Sequence, residues 1–194
     1  MRQRKRVRLV LVGASAGGVA ALTQILPLLP AAFTLPLVVV VHQPPSHQSL
    51  LAELFGRKCT LPVLEAYDKA PVEAGHIYFS PPDYHLMIER DLTFVLSLDE
   101  PVNFSRPSID VLLESAAVSL GRDLLAIILT GNNADGARGM KAVREAGGLG
   151  WVQLPKTAQA ATMPRSAIEV GGADAILTLA QIADNLLLLG SADE

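Results

Sequence analysis

Apolar residues cluster in short runs separated by glycine, proline and polar residues, and the runs change period along the chain. Val7–Val12, Leu37–Val41 and Leu124–Leu129 are almost continuously apolar and rich in valine, leucine and isoleucine. Such runs suit strands buried on both faces of a parallel sheet. Segments with helical spacing lie between and after them: Gly17–Leu29, Gln48–Phe55 with Leu50, Leu51 and Leu54 on one face, Ser108–Leu120, Asp135–Ala146, Pro164–Val170 and a last helix to about Leu189. Ser108 is placed to cap its helix, with Asp110 in the first turn, and Gly147-Gly148 ends the helix begun at Asp135. Gly150–Gln153 and Ala175–Leu177 read as two further strands. The middle differs. His76–Phe79, Tyr84–Ile88 and Leu92–Leu96 are β-rich, with Pro81-Pro82 and Arg90-Asp91 between them, and predict an antiparallel insertion. The expected fold is therefore α/β, a doubly wound, mostly parallel sheet flanked by helices with an antiparallel β-hairpin insertion. No internal repeat or linker divides the 194 residues, so one domain over 1–194 is expected, with residues 1–6 as a basic tail.

Composition narrows the function classes. Half of the residues are hydrophobic, 18% are charged and the net charge is −3, which argues against nucleic-acid binding. Arg2, Arg4, Lys5, Arg6 and Arg8 crowd the N-terminus, as a solvated lead into the first strand or a docking patch for an acidic partner or anionic lipid. Cys59 is the one cysteine, which excludes an internal disulfide. The most apolar stretch, Ile25–Val41, is interrupted by Pro27, Pro30 and Pro36 and does not read as a membrane span. A cytoplasmic location without membrane insertion is the expectation.

Three polar residues follow the predicted strands: Ser15 after the first, His42 directly after the second, and Asp135 in the glycine- and asparagine-rich loop after Leu124–Leu129. A parallel sheet would bring these ends onto one rim, where open α/β sheets bind ligands. A serine hydroxyl needs a histidine to take its proton, and the histidine needs a carboxylate to fix its tautomer. The turn Gly13-Ala14-Ser15-Ala16-Gly17 fits G-x-S-x-G, which exposes a serine at a sharp strand-to-helix turn and offers the Ala16 N–H to an oxyanion. The same glycines also suit a phosphate-binding loop, but G-x-G-x-x-G and Gly-Lys-Ser/Thr are both missing. The order serine, histidine, aspartate differs from the Ser…Asp…His order of α/β-hydrolases. No His/Cys pairing suggests a metal; His47, His76 and His85 are scattered.

Together, Gly13-Ala14-Ser15-Ala16-Gly17-Gly18, Val41-His42-Gln43-Pro44, Ser80-Pro81-Pro82-Asp83-Tyr84-His85, Arg106-Pro107-Ser108-Ile109-Asp110, Leu129-Thr130-Gly131 with Asp135-Gly136-Ala137 and Gly139-Met140, and Met163-Pro164 resemble the catalytic domain of the CheB-type protein-glutamate methylesterases of chemotaxis. The resemblance runs from about Leu9 to Leu188. It implies a catalytic triad of Ser15, His42 and Asp135, and a glutamate methyl ester on the cytoplasmic helical bundle of a chemoreceptor as substrate. It also implies an acyl-enzyme route, deamidation of glutamine in some members, and no cofactor or metal. Ala16 and Asn132 would supply oxyanion N–H groups; His85 would border the substrate groove or make a structural hydrogen bond, and Arg106 would contact acidic receptor helices or form a surface ion pair. Two positions depart from the family pattern: Ala16 stands for a common threonine, and Gly131-Asn132-Asn133-Ala134-Asp135-Gly136 for Gly-Met-Gly-x-Asp-Gly. The receiver domain that many members carry is absent from this sequence, so gating would be missing or supplied by a separate receiver or signalling protein. The residues alone leave open an esterase of the same mechanism on another molecule, or a catalytically silent signalling or scaffold module.

Overall fold

The structure, a computed structural model, describes residues 7–42 and 50–190. The basic tail, His47 and the start of the helix expected from Gln48 lie outside the described residues. The continuous apolar runs become the middle of one parallel sheet. Its strands are β1 (Leu9–Ala14), β2 (Leu37–Val41), β3 (Val63–Glu65), β4 (Ile77–Phe79), β7 (Leu124–Ile128), β8 (Leu149–Gln153) and β9 (Ala175–Leu177), in the order β3-β4-β2-β1-β7-β8-β9. A separate antiparallel hairpin is formed by β5 (His85–Ile88) and β6 (Phe94–Ser97). The helices are α1 (Gly18–Thr23), α2 (Leu51–Gly56), α3 (Ile109–Leu120), α4 (Ala137–Glu145), α5 (Thr162–Glu169) and α6 (Leu179–Gly190).

Every residue of β1, β2 and β7 is buried, because the pleat sends alternate side chains into two cores. Val10 and Val12 join Leu22 of α1, Ile25 just beyond it, Phe55 of α2 and Leu186 of α6 on one face. Leu9 and Leu11 join Ile109 and Leu113 of α3, Met140 of α4, Met163 of α5 and Phe94 of the hairpin on the other. The sheet is thus covered on both sides, as the apolar runs require.

Two expectations are corrected, and one strand is added. His76–Phe79 does not belong to the antiparallel insertion: β4 pairs in parallel with β2 and β3. Ile77 and Phe79 enter one core and Tyr78 the other, so the segment is a strand buried on both faces. β3 escapes the pattern because it is a three-residue edge strand with Leu64 and Glu65 exposed. The helix expected over Gly17–Leu29 stops at Thr23, and a 3₁₀ turn with Pro27 follows at Leu26–Leu28.

Candidate active site

Strand order decides where the site forms. The chain moves from β1 to β2 on one side and returns to β7 on the other, so the carboxyl ends of β2, β1 and β7 meet at the switch point of the sheet. Ala14 is in register with Val41, and the His42 N–H donates to the Ala14 carbonyl at 3.0 Å. Ser15 and His42 therefore emerge side by side from adjacent strands. The Ser15 N–H donates to the Thr130 carbonyl at 2.9 Å, which ties the serine to the end of β7. The Thr130 hydroxyl donates to the Ala16 carbonyl at 2.8 Å and accepts the Ala160 N–H at 2.9 Å, joining three loops. Gly17 follows with φ 80°, and a Cβ there would stand 2.6 Å from the Gln159 side chain. Glycine meets both conditions of this turn.

Asp135 is fully buried and gathers donors from three places. Its Oδ2 accepts from His42 Nε2 at 2.8 Å and from the Ile109 N–H at 2.7 Å. Its Oδ1 accepts from the Ser108 hydroxyl at 2.8 Å, the Asp110 N–H at 3.2 Å and Asn103 Nδ2 at 3.2 Å. The carboxylate caps α3, an earlier helix in the chain; its own helix α4 follows Gly136 as N-cap, with no side-chain cap. Ser108 completes the arrangement, since its hydroxyl also accepts the Val111 N–H. Donors that a helix start leaves unpaired thus hold the negative charge. Burial pushes the Asp135 pKa up, but the hydrogen bonds from His42, the Ile109 N–H and Ser108 outweigh it and hold the carboxyl below its ordinary value. Asp110 shows the opposite balance. Burial raises its pKa against the Gly139 N–H, and the Asp135 charge raises it further. Asn103 Nδ2 donates to both carboxylates, at 3.0 Å to Asp110 Oδ2.

The second imidazole nitrogen is also engaged. Asn133 Oδ1 accepts the Asp135 N–H at 3.2 Å, so its NH₂ faces His42 Nδ1 at 3.3 Å. Nδ1 then accepts and Nε2 carries the proton it donates to Asp135. Both neighbours select one tautomer, with the lone pair on Nδ1. Among the described residues, the Ser15 hydroxyl has no hydrogen-bond partner. Asn133 holds the nitrogen that a triad would turn toward it.

The other expected residues fall in different places. Ala16 is exposed, and neither its N–H nor that of Asn132 has a partner among the described residues. The Asn132 side chain accepts from the Thr162 hydroxyl at 3.3 Å. Arg106 lines a cleft of about 180 Å³ with His42, Asp83 and the turn around Phe104. Its guanidinium donates to Asp83 Oδ1 at 2.8 Å and to the Leu98 and Asp99 carbonyls, so much of its donor capacity is used. His85 does not border the cleft. It is 1% exposed, its Nδ1 accepts the Ser108 N–H at 3.2 Å and its Nε2 faces the Glu100 carbonyl at 3.1 Å. Both ring nitrogens clamp the segment leading into α3. His76 faces the Ala74 carbonyl, and Met140 and Met163 are core residues. Asn103 and Asn133 were not visible as site residues in the sequence, where they are ordinary loop asparagines; Ser108 was visible only as a helix cap. No group of three or more His, Cys, Asp or Glu side chains among the described residues is placed to hold a metal ion.

A doubly wound sheet with a serine, a histidine and a buried carboxylate at its switch point is the layout of a hydrolase-type α/β protein. The chain belongs to the CheB methylesterase family, whose model matches residues 10–186. A Leptospira interrogans protein, provisionally named a protein-glutamate methylesterase/protein-glutamine glutaminase, is 45% identical over 93% of each chain. A Pseudomonas aeruginosa protein named protein-glutamate methylesterase/protein-glutamine glutaminase 2 is 40% identical over 93% of this chain and 52% of its own length. The crystal structure of the Thermotoga maritima CheB methylesterase catalytic domain matches with a TM-score of 0.90 at 35% identity, covering 94% of this chain and 98% of that one.

Proposed function

We propose that the chain is a serine hydrolase that removes methyl esters from glutamate side chains of chemoreceptors and deamidates glutamine by the same route. The observation that carries this reading is the His42–Asp135 pair one strand away from Ser15, with the lone pair left on Nδ1. Ser15 Oγ attacks the ester carbonyl while His42 Nδ1 takes its proton. Asp135 stays ionised and stabilises the imidazolium. The free N–H groups of Ala16 and Asn132 are suited to the developing oxyanion. Collapse expels the alkoxide, which takes the proton from Nδ1 and leaves as methanol; an amide would release ammonia. Water, deprotonated by the same nitrogen, then frees the glutamate and Ser15. Asn133 must release Nδ1 before the first step.

Its substrate on this reading is the methylated cytoplasmic helical bundle of a receptor, and the enzyme works in the cytoplasm. No helix among the described residues is long and apolar enough to cross a membrane, which fits that placement. The test is methanol release from a methylated receptor cytoplasmic fragment, wild type beside Ser15→Ala. A loss of about 10³-fold or more is expected; a loss below about tenfold overturns the nucleophile assignment.

A further inference from the structure

Phe104 stands on the rim of the His42 cleft and is 104% exposed, so its ring packs on nothing among the described residues. Its backbone carries a second cost. The Val102 N–H donates to the Ser105 carbonyl at 3.1 Å and the Ser105 N–H to the Val102 carbonyl at 2.9 Å, closing a two-residue turn. Asn103 and Phe104 have φ 51° and 60°. That pattern favours asparagine followed by glycine, so Asn103 fits while Phe104 occupies the glycine position. A Cβ-bearing aromatic in the left-handed region is strained.

The turn has little freedom to relax. The Asn103 amide donates to Asp135 and Asp110, and Arg106 is bound to Asp83 and two carbonyls. Asn103, which donates to the Asp135 carboxylate, therefore also holds the turn that carries Phe104 on the cleft shared with His42. Among the described residues Phe104 gains neither packing nor backbone ease. An arriving apolar surface supplies the missing contact. Arg106, which lines the same cleft, is paired with Asp83, so its charge does not compete for the partner.

We propose that Phe104 is a docking residue for the substrate protein, inserting beside an aliphatic side chain about one helical turn from the esterified glutamate. This rests on the methylesterase reading above. Residues three or four apart lie about 5–6 Å from each other on a helix face, and Phe104 lines the same cleft as His42. A rigid aromatic anchor beside the reacting group is a common source of protein–protein binding energy.

The test compares wild type, Phe104→Gly and Phe104→Leu on a methylated receptor cytoplasmic fragment and on N-acetyl-glutamate γ-methyl ester. Phe104→Gly is expected to keep or raise the urea midpoint, because glycine relieves the turn. It should lower kcat/KM for the fragment about tenfold or more relative to the small ester, mainly through KM. Phe104→Leu should recover part of that ratio. A ratio changed by less than about threefold, or a lowered urea midpoint, overturns the inference. So does a wild-type dimer that Phe104→Gly dissociates in sedimentation, which would make a second copy the occupant. If the wild type releases no methanol from the fragment, the methylesterase reading falls and this inference with it. An active wild type with an unchanged ratio removes this inference alone.

Discussion

At the scale of single residues, Asp135 ties the stability of the fold to pH through one proton equilibrium. Its pKa is depressed in the folded chain. Its stabilising contribution is therefore complete above the unfolded value of about 3.9 and is lost as pH falls through the folded value. Asp135→Asn should cost about 2–3 kcal/mol at neutral pH, since an amide presents donors to donors. Urea midpoints measured from pH 7 down should show the gap to wild type closing below about pH 4. Asp110 acts in the opposite sense: its raised pKa makes its ionisation a cost to the fold near neutrality. Asn133 makes a separate prediction. A neutral hydrogen bond contributes about 0.5–1 kcal/mol net, so Asn133→Ala should speed sulfonylation of Ser15 by phenylmethylsulfonyl fluoride about two- to fivefold. The imidazole ¹⁵N shift of His42 Nδ1 should move with it. An unchanged rate and shift would show that Asn133 does not occupy the base nitrogen in solution.

At the scale of elements, the start of α3 is the most informative piece. Ser108 caps the helix, donates to Asp135 and receives its backbone position from His85. Helix capping and carboxylate positioning are one structure there. Ser108→Ala should cost about 1–2 kcal/mol of stability by urea unfolding. It should also lower kcat more than KM, because the loss falls on the carboxylate that supports the imidazolium. A stability loss with unchanged kcat would confine Ser108 to capping. Gly136 sets the approach of Asp135 to this helix. Its φ is 92°, and a Cβ would lie 2.7 Å from Ile128 and 2.8 Å from Ile109.

At the scale of the whole molecule, both cores share one sheet, so neither face can melt alone. β1 contributes Val10 and Val12 to one core and Leu9 and Leu11 to the other. Leu11→Ala and Leu22→Ala, on opposite faces, should each cost about 2–5 kcal/mol. Each should lower a single unfolding transition seen alike by circular dichroism and by Trp151 fluorescence. Two separated transitions would show that the faces unfold independently.

The sequence by itself determined the parallel core, the strand ends and the three residues on them. Long valine- and leucine-rich runs have only one kind of home, a strand covered on both faces. A short run carries too little pattern, so the parallel pairing of Ile77–Phe79 and the edge strand Val63–Glu65 emerged only from their neighbours. The site divides in the same way. Ser15, His42 and Asp135 were legible because each follows a strong strand, and a parallel sheet aligns such ends. Asn103, Asn133 and the second role of Ser108 were not, because hydrogen bonding across 27 to 91 residues of chain leaves no local trace. Tertiary structure alone decided that Asp135 caps a helix other than its own, that His85 turns inward, and that Asn133 faces His42 Nδ1.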